Sequence, residues 1–226
     1  MALTRLDSDG RRKAIVAAAV PLFARKGFAG TTTREVAAAA GVSEALLFKH
    51  FPSKQSLYRE ILLLGCEGDP ALEQLAKLPA STQTLAGMVR FMVRRFVLAK
   101  ELERSEFESR VRLILHSYLE DGAYARELYA AIAPRVVPLF SASVAAAEAA
   151  GDLAPSRDSA ANRFWFAQHV AATIAFAALP ADGCVPYDGS PERIVDEATC
   201  FILRGIGMTE AAVAAASEAP LAAAAD

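Results

Sequence analysis

The sequence has 226 residues, of which 54% are hydrophobic, enough to bury one large domain or two smaller ones, so disorder of the whole chain is excluded. The net charge of −2 hides an asymmetry, because residues 1–60 carry ten Lys and Arg against five Asp and Glu, whereas the rest carries fourteen against twenty-one. A basic segment before an acidic body favours a polyanionic partner for the first segment alone.

Helix-forming residues dominate from end to end, and no segment alternates over the length of a strand, so the sequence predicts an all-α protein. Pro and Gly clusters separate nine predicted helices, at 9–27, 33–40, 43–51, 53–65, 82–102, 105–120, 123–150, 157–179 and 191–206. Pro21 should bend the first helix, and Pro134 and Pro138 should either bend the seventh or break it in two. The Ala-rich tail 211–226 has little to bury, and we expect it to fray.

The second and third predicted helices have matched start and stop signals. Thr32 and Glu35 have the spacing of a capping box, in which each side chain accepts a hydrogen bond from the other residue's backbone N–H. Gly41 provides the left-handed end of this helix, and Ser43 caps the next one. Residues 32–51 therefore predict a helix, a tight turn and a second helix.

The apolar spacing assigns an inner and an outer face to this pair of helices. Val36, Ala37 and Ala40 should pack on Leu47 and Phe51. The outer face of the second helix then carries Ser43, Glu44, Leu46, Phe48, Lys49 and His50. A short helix with apolar and basic groups turned outward is typical of a helix-turn-helix, whose second helix enters the DNA major groove.

The segment "AAVPLFARKGFAGTTTREVAAAAGVSEALLFKHFPSKQSLY", Ala18–Tyr58, resembles the DNA-binding region of the tetracycline-repressor (TetR) family along its whole length. The motifs "LFARKGFAGTT", "EVAAAAGVS" and "LLFKHFPSK" carry the resemblance, and beyond about residue 60 it is one of architecture only. The resemblance implies a helix-turn-helix domain at 1–52, a helical effector-binding and dimerisation domain at 53–210, and the tail at 211–226.

The resemblance also implies which side chains contact DNA. Thr33, His50 and Lys54 match phosphate contacts, and Arg34 matches a contact in the groove. The predicted DNA-contacting set is Thr33, Arg34, Ser43, Glu44, Leu46, Phe48, Lys49, His50 and Lys54. The sequence departs from the family pattern at two positions. The family commonly has Tyr in place of Phe48 and Gly in place of Ala45.

Several of these side chains have a structural alternative. Glu44 either accepts from a cytosine amino group or complements the helix dipole from the first turn. His50 either contacts phosphate or packs under the fourth helix. Arg34, Lys49 and Lys54 would be ordinary solvated charges in another context, but the basic segment and the family pattern favour DNA.

The resemblance places a ligand pocket and a dimer interface in the acidic body. The helices at 157–179 and 191–206 would pair with their copies, with Phe166, Val170 and Ala177 on the contacting face. Side chains that could line the pocket by their type are Phe91, Arg95, His116, Tyr118, Trp165 and His169. The Ala-rich, polar-poor composition of the body favours an apolar or aromatic effector.

No other partner is expected. The cysteines form no C-x-x-C pair, so we expect neither a disulfide framework nor a metal, and no cofactor. "MALTRLDSDGRRK" has no apolar core of a secretory signal, so we expect a cytoplasmic protein. The uncharged run 164–181 approaches the length of a membrane span, but its Gln168, His169 and Thr173 favour a helix buried in a bundle or dimer interface, so no membrane contact is expected.

These patterns predict a homodimeric, ligand-responsive transcriptional repressor that binds a palindromic operator in double-stranded DNA and is released by a small effector. One alternative is a constitutive DNA-binding dimer without an effector. A helical enzyme is the other alternative, disfavoured because no Ser-centred elbow, phosphate-binding Gly loop or metal-spaced His and carboxylate set is present.

Overall fold

A computed structural model describes residues 7–66, 70–98, 104–180 and 182–218, and every regular element in these ranges is a helix. The all-α prediction is confirmed. The helices are α1 (Ser8–Gly30), α2 (Thr33–Ala39), α3 (Glu44–His50), α4 (Lys54–Cys66), α5 (Pro70–Leu75), α6 (Thr82–Val97), α7 (Arg104–Leu119), α8 (Ala123–Ala149), α9 (Ala160–Ala177), α10 (Pro191–Gly205) and α11 (Glu210–Glu218).

The prolines lie inside helices that continue past them, and the position with non-helical backbone angles is a glycine. Pro21 lies inside α1, and Pro134 and Pro138 lie inside α8, which stays a single helix. The irregular position in α1 is Gly27, with φ 70° and ψ 178°. The predicted helix 82–102 ends earlier, at Val97, and its residues 99–102 lie outside the described ranges.

The chain forms two compact units, and the boundary differs from the predicted one at 52/53. The first unit comprises Met1–Glu67 and Ser105–Ala131, and the second comprises Gly68–Arg104 and Ile132–Asp226. Helices α4 and α7 and the start of α8 therefore belong with the helix-turn-helix segment. Sequence patterns did not show this, because membership of α7 depends on packing between residues far apart in the chain.

The core of the first unit contains the predicted inner face of the helix pair. Helix α1 packs against α2 and α4, and α2 packs against α3. Val36, Ala37, Leu47 and Phe51 are all buried, as predicted for the inner face, whereas Ala40 is half-buried. Other large buried side chains of this unit are Ile15, Phe23, Leu57 and Leu113.

The second unit is built around α6, which packs against α9, α10 and α11. Its apolar core includes Leu85, Val89, Phe140, Phe164 and Leu203. Phe164 meets Phe140 edge to face, with ring centroids 5.4 Å apart. Burying large aromatic and aliphatic groups in this way supplies most of the stability of a helical bundle.

The first half of the tail is ordered, so the predicted fraying is wrong for residues 211–218. Ala212 and Val213 of α11 are buried in the core of the second unit. The backbone before α11 pairs with the loop after α8, where Ala154 N–H donates to Gly207 O at 3.0 Å and Thr209 N–H donates to Asp152 O at 2.8 Å. These long-range contacts stabilise a helix that the Ala-rich composition of the segment would not stabilise by itself. Residues 219–226 lie outside the described ranges.

Among the described helices, α8 is long and apolar enough to cross a membrane by length and composition alone. It carries Arg126, Glu127 and Arg135, and its Phe140 and Val144 are buried. Core helices of bundles have the same length and composition, so these two properties do not distinguish a membrane-spanning helix from a core helix.

Candidate nucleic-acid interface

The turn between α2 and α3 has the predicted caps. Thr32 Oγ1 accepts from Glu35 N–H at 3.2 Å, and Glu35 Oε2 accepts from Thr32 N–H at 3.0 Å, which completes the capping box. Gly41 has φ 65°, and Val42 N–H donates to Ala37 O at 2.9 Å. Because that bond is the long bond of a Schellman motif, the turn is closed by backbone contacts alone.

Glu35 has a second role that ties α2 to α1. Lys26 Nζ donates to Glu35 Oε1 at 2.5 Å. This hydrogen bond, followed by those from the Thr32 backbone and hydroxyl, lowers the pKa of Glu35 to about 2. The carboxylate is therefore ionised across the physiological range, and Lys26 neutralises it.

Helix α3 begins after Ser43, whose Oγ accepts from Leu46 N–H at 3.2 Å. Its outward face is open to solvent, as predicted. The ring of Phe48 is 42% exposed, Glu44 and Lys49 are exposed, and Leu46 is half-buried. The outward face of this seven-residue helix therefore presents an aromatic ring and a lysine to solvent.

Arg12 holds the end of α3 against α1 and α4, and sequence patterns did not single it out. Its Nε and Nη2 donate to Glu60 Oε1 at 2.9 Å and Oε2 at 2.8 Å, a bidentate pair. Its Nη1 donates to the backbone carbonyl of His50 at 2.9 Å, and its guanidinium lies 4.4 Å from the ring centroid of Phe51. Helices α1, α3 and α4 therefore meet at the guanidinium of Arg12.

We call these contacts of Arg12 with Glu60, the His50 carbonyl and the Phe51 ring the Arg12 clamp. The clamp changes the pKa of both Arg12 and Glu60. The hydrogen bond from Arg12 lowers the pKa of Glu60, and the same bond raises the pKa of Arg12. Both side chains keep part of their surface in water, 39% for Arg12 and 26% for Glu60. No local sequence signal identifies this contact, because its members lie 38 and 48 positions apart.

Lys54 is engaged by the protein itself, which restricts its predicted phosphate contact. Its Nζ donates to Phe28 O at 2.7 Å and Thr31 O at 3.0 Å, and it lies 4.2 Å from the ring centroid of Phe28. An ammonium has three donors, so one N–H remains for a phosphate. The contacts assign Lys54 a positioning role at the loop between α1 and α2.

The other predicted DNA-contacting residues surround α3. Thr33 is half-buried in the first turn of α2, and Arg34 is exposed beside it. Ser43 is exposed and caps α3, and the side chain of His50 is half-buried at its end. Their contact with DNA stays a prediction.

The six predicted pocket residues do not form one cluster within either unit. His116 and Tyr118 belong to the first unit, and Phe91, Arg95, Trp165 and His169 belong to the second. Arg95, Tyr118 and His169 are exposed, whereas Phe91, His116 and Trp165 are half-buried. The Tyr118 hydroxyl pairs with that of Tyr129. A role for these six side chains in a ligand pocket stays a prediction.

The predicted dimer face has the exposure that such a face requires. The ring of Phe166 on α9 is 66% exposed, and Val170 one turn further is also exposed, while Ala177 is half-buried. Phe201 on α10 is 68% exposed, and it lines a surface groove with Phe166 and Val170. We did not predict Phe201, although its spacing from Ile194 and Ala198 forms an apolar stripe that would have indicated it.

Known proteins resemble this chain in sequence and in structure. Residues 15–61 match the family described as bacterial regulatory proteins, tetR family. The chain is 30% identical over 145 residues to the HTH-type transcriptional repressor KstR2 of Rhodococcus jostii (strain RHA1), an alignment that covers 53% of this chain and 71% of KstR2.

Two crystal structures share the fold. NalD, the secondary repressor of the MexAB-OprM multidrug efflux pump in Pseudomonas aeruginosa, superposes with a TM-score of 0.67 at 22% identity, over 89% of this chain and 98% of NalD. AibR, in complex with isovaleryl coenzyme A and operator DNA, gives a TM-score of 0.63 at 19% identity, over 84% of this chain and 97% of AibR. With the helix-turn-helix geometry, these findings establish that the chain belongs to the tetR family of bacterial DNA-binding transcriptional regulators.

Proposed function

We propose that this protein is a homodimeric repressor that binds a palindromic operator through α3 and leaves it when a small effector binds the second unit. The observation that carries the proposal is the outward face of α3, where an exposed Phe48 and Lys49 stand on a helix capped at its start and clamped at its end.

The face of α3 suits a DNA groove. Lys49 and Arg34 are exposed cations that can donate to guanine or phosphate oxygens, and Leu46 offers an apolar surface to a thymine methyl group. Phe48 can lie along the sugar-phosphate wall but cannot donate a hydrogen bond to it. We assign Ser43 and Glu44, which begin the helix, to the edge of the same contact.

The apolar face of α9 and α10 supports dimerisation. Phe166, Val170 and Phe201 line one groove and expose apolar surface that a second copy would remove from water. A two-fold dimer would present two α3 helices to half-sites one helical turn apart, roughly 34–36 Å, which is why we propose a palindromic operator.

The second unit contains polar atoms that support an effector site. Ser143 Oγ, Gln168 Oε1 and Thr199 Oγ1 are buried without a hydrogen-bond partner in the described part of this unit. Buried polar atoms without partners destabilise a core, so an effector that hydrogen-bonds to them would stabilise the unit that binds it. AibR, a structural neighbour, was crystallised with both operator DNA and isovaleryl coenzyme A, which supports a protein that binds DNA and a small ligand. An apolar or aromatic effector remains our proposal.

The effector would bind the released conformation by preference. It must bind the released conformation more tightly than the operator-bound one, because a ligand with equal affinity for both shifts nothing. We infer that movement of α4, whose Lys54 and Glu60 position α2 and α3, would couple effector binding to DNA release. In the constitutive alternative, no compound would change operator affinity.

DNA selection followed by binding measurements tests the proposal. The full-length protein selects from a random library, and its affinity for the selected sequence is measured by fluorescence anisotropy over a salt series. We expect a palindrome, and a loss of about 10³-fold or more in affinity between roughly 50 and 200 mM salt if six or more phosphates are contacted. A flat salt response or a selected sequence without two-fold symmetry would contradict the proposal.

The dimer is tested separately by sedimentation. Phe201→Glu should convert the wild-type dimer to monomers or aggregates, because it buries a charge in the proposed interface. Leu119→Glu is the matched control, since Leu119 is 84% exposed but belongs to the other unit. A wild-type monomer at micromolar concentration would remove the basis for a palindromic operator.

A further inference from the structure

Helix α3 carries one acidic side chain, Glu44, on its outward face. Glu44 is exposed and lies four positions before Phe48, whose exposed ring marks the same face of the helix. The surrounding segment is basic, since residues 1–60 carry ten Lys and Arg against five Asp and Glu. A carboxylate on a surface that binds DNA is repelled by the phosphates, so it weakens binding unless the DNA donates a hydrogen bond to it.

The carboxylate of Glu44 has no partner within the described part of the protein. Two other acids of the same unit are each neutralised, Glu35 by Lys26 and Glu60 by Arg12. No hydrogen bond or ion pair joins the side chain of Glu44 to a described residue. Its oxygens are therefore available to a donor outside the protein.

Helix α3 itself supplies no cation to Glu44. Residues three and four positions apart are neighbours on a helix surface. At those positions after Glu44 stand Leu47, which is buried, and Phe48. Lys49 lies five positions further along, about 140° around the helix axis. The helix therefore does not neutralise the carboxylate that it presents to solvent.

The bases differ in what they offer such a carboxylate. In the major groove, cytosine presents its N4 amino group and adenine its N6 amino group, whereas guanine and thymine present acceptors that repel a carboxylate. The adenine amino group lies beside the N7 acceptor, which repels the second carboxylate oxygen. The cytosine amino group lies beside a C–H. Cytosine is therefore the base that a carboxylate matches best, and adenine is the base that an amide matches best.

We propose that Glu44 reads a cytosine in each half-site of the operator by accepting a hydrogen bond from its N4 amino group. The inference rests on the proposed function, because it requires α3 to lie in the major groove. It makes Glu44 a specificity-determining residue. Phosphates and acceptor edges repel the carboxylate on other sequences, and the cytosine amino group offsets that repulsion at the operator.

The competing role for Glu44 is structural, since an acidic residue in the first turn of a helix complements the helix dipole. The start of α3 already has a cap, because Ser43 Oγ accepts from Leu46 N–H at 3.2 Å. In the structural role, loss of the carboxylate would lower the melting temperature and leave the base preference unchanged. Base preference and stability, measured together, separate the two roles.

Selection from a random DNA library tests the inference with the full-length wild type, Glu44→Gln and Glu44→Ala. The wild type should select a C·G pair at one position of each half-site. Glu44→Gln should select A·T there, because an amide pairs with adenine N6 and N7, and Glu44→Ala should show no preference there. Asp9→Asn is the matched control for charge, since Asp9 is exposed on α1 of the same unit, and it should select the wild-type operator.

A modified base locates the contact without changing the protein. N4-methylcytosine replaces each cytosine of the half-site in turn, which keeps the base pair and removes the amino hydrogen that points into the groove. At one cytosine it should weaken binding of the wild type at least about fivefold, the lower end of the cost of a mismatched base pair. The same substitution should leave the affinity of Glu44→Ala unchanged. Fluorescence anisotropy measures both affinities.

The inference is overturned if the folded Glu44 variants select the wild-type operator, if the position they change is an A·T pair in that operator, or if N4-methylation affects the wild type and Glu44→Ala equally. In each of these cases the wild type still selects a palindrome, so the proposed function stands. A wild type that selects no sequence would overturn both. A lower melting temperature of Glu44→Ala with an unchanged base preference would assign Glu44 the structural role instead.

Discussion

Removing the guanidinium of Arg12 should loosen the first unit and leave the second unchanged. Arg12→Met keeps the aliphatic stem but loses the bidentate pair with Glu60, the bond to His50 O and the contact with the Phe51 ring. The pair is partly solvated, so it contributes about 0.5–1 kcal/mol rather than the value of a buried pair. The ring contact adds about 0.5–1 kcal/mol.

The bond to the His50 carbonyl adds about 0.5–1 kcal/mol, so the total loss is about 2 kcal/mol. Hydrogen exchange is the suitable assay, because it reports the opening of α1, α3 and α4 separately from the second unit. A loss of about 2 kcal/mol should speed exchange by roughly thirtyfold in these helices. Lys13→Met is the control, since Lys13 is exposed on the same helix.

A double-mutant cycle isolates the ion pair from the other two contacts. Arg12→Met combined with Glu60→Gln should give a coupling energy of about 0.5–1 kcal/mol at neutral pH. The pKa of Glu60 is lowered in the folded state, so this stabilisation is present above its unfolded pKa and disappears as pH falls through the folded value. A coupling energy near zero at neutral pH would refute the proposed role of the Arg12–Glu60 pair. So would an acceleration of exchange in the second unit of Arg12→Met equal to that in the first.

Three further outcomes are expected in the first unit. The pKa of Glu35 is lowered to about 2, so its pair with Lys26 should stabilise α2 fully above a pH of about 4.3, and this stabilisation should be lost as the pH falls from about 4.3 to about 2. A pH profile of hydrogen exchange that is unchanged in Glu35→Gln would contradict this. Phe48→Tyr should tighten DNA binding modestly without changing sequence preference or stability, since the ring is exposed and phosphate contacts carry no base information; an unfolded variant would show that the ring is buried. Gly27→Ala should lower the melting temperature by destabilising α1 by about 1–3 kcal/mol, because φ of +70° with ψ of 178° is a backbone conformation that residues other than glycine rarely adopt. A stabilised variant would refute the strain.

The sequence by itself determined the local geometry of the DNA-binding segment. The capping box of Thr32 and Glu35, the left-handed Gly41 and the cap at Ser43 each depend on groups within a few positions along the chain, and all are present as predicted. The inner and outer faces of α3 follow from its period of 3.6 residues, which is why the exposure of Phe48 could be predicted. The family resemblance rests on the same local pattern.

Only the tertiary structure decided which distant groups meet. Arg12 and Lys54 belong to the basic segment and could have been solvated charges, but packing brings them to a carboxylate, backbone carbonyls and aromatic rings. Helix α11 is ordered because Ala212 and Val213 find a core, which its Ala-rich composition does not indicate. The ring of Tyr58 on α4 packs on that of Tyr124 on α8, sixty-six positions later in the chain. Contacts of this kind depend on how whole helices pack, and packing is encoded by the fit of many side chains at once rather than by any short motif.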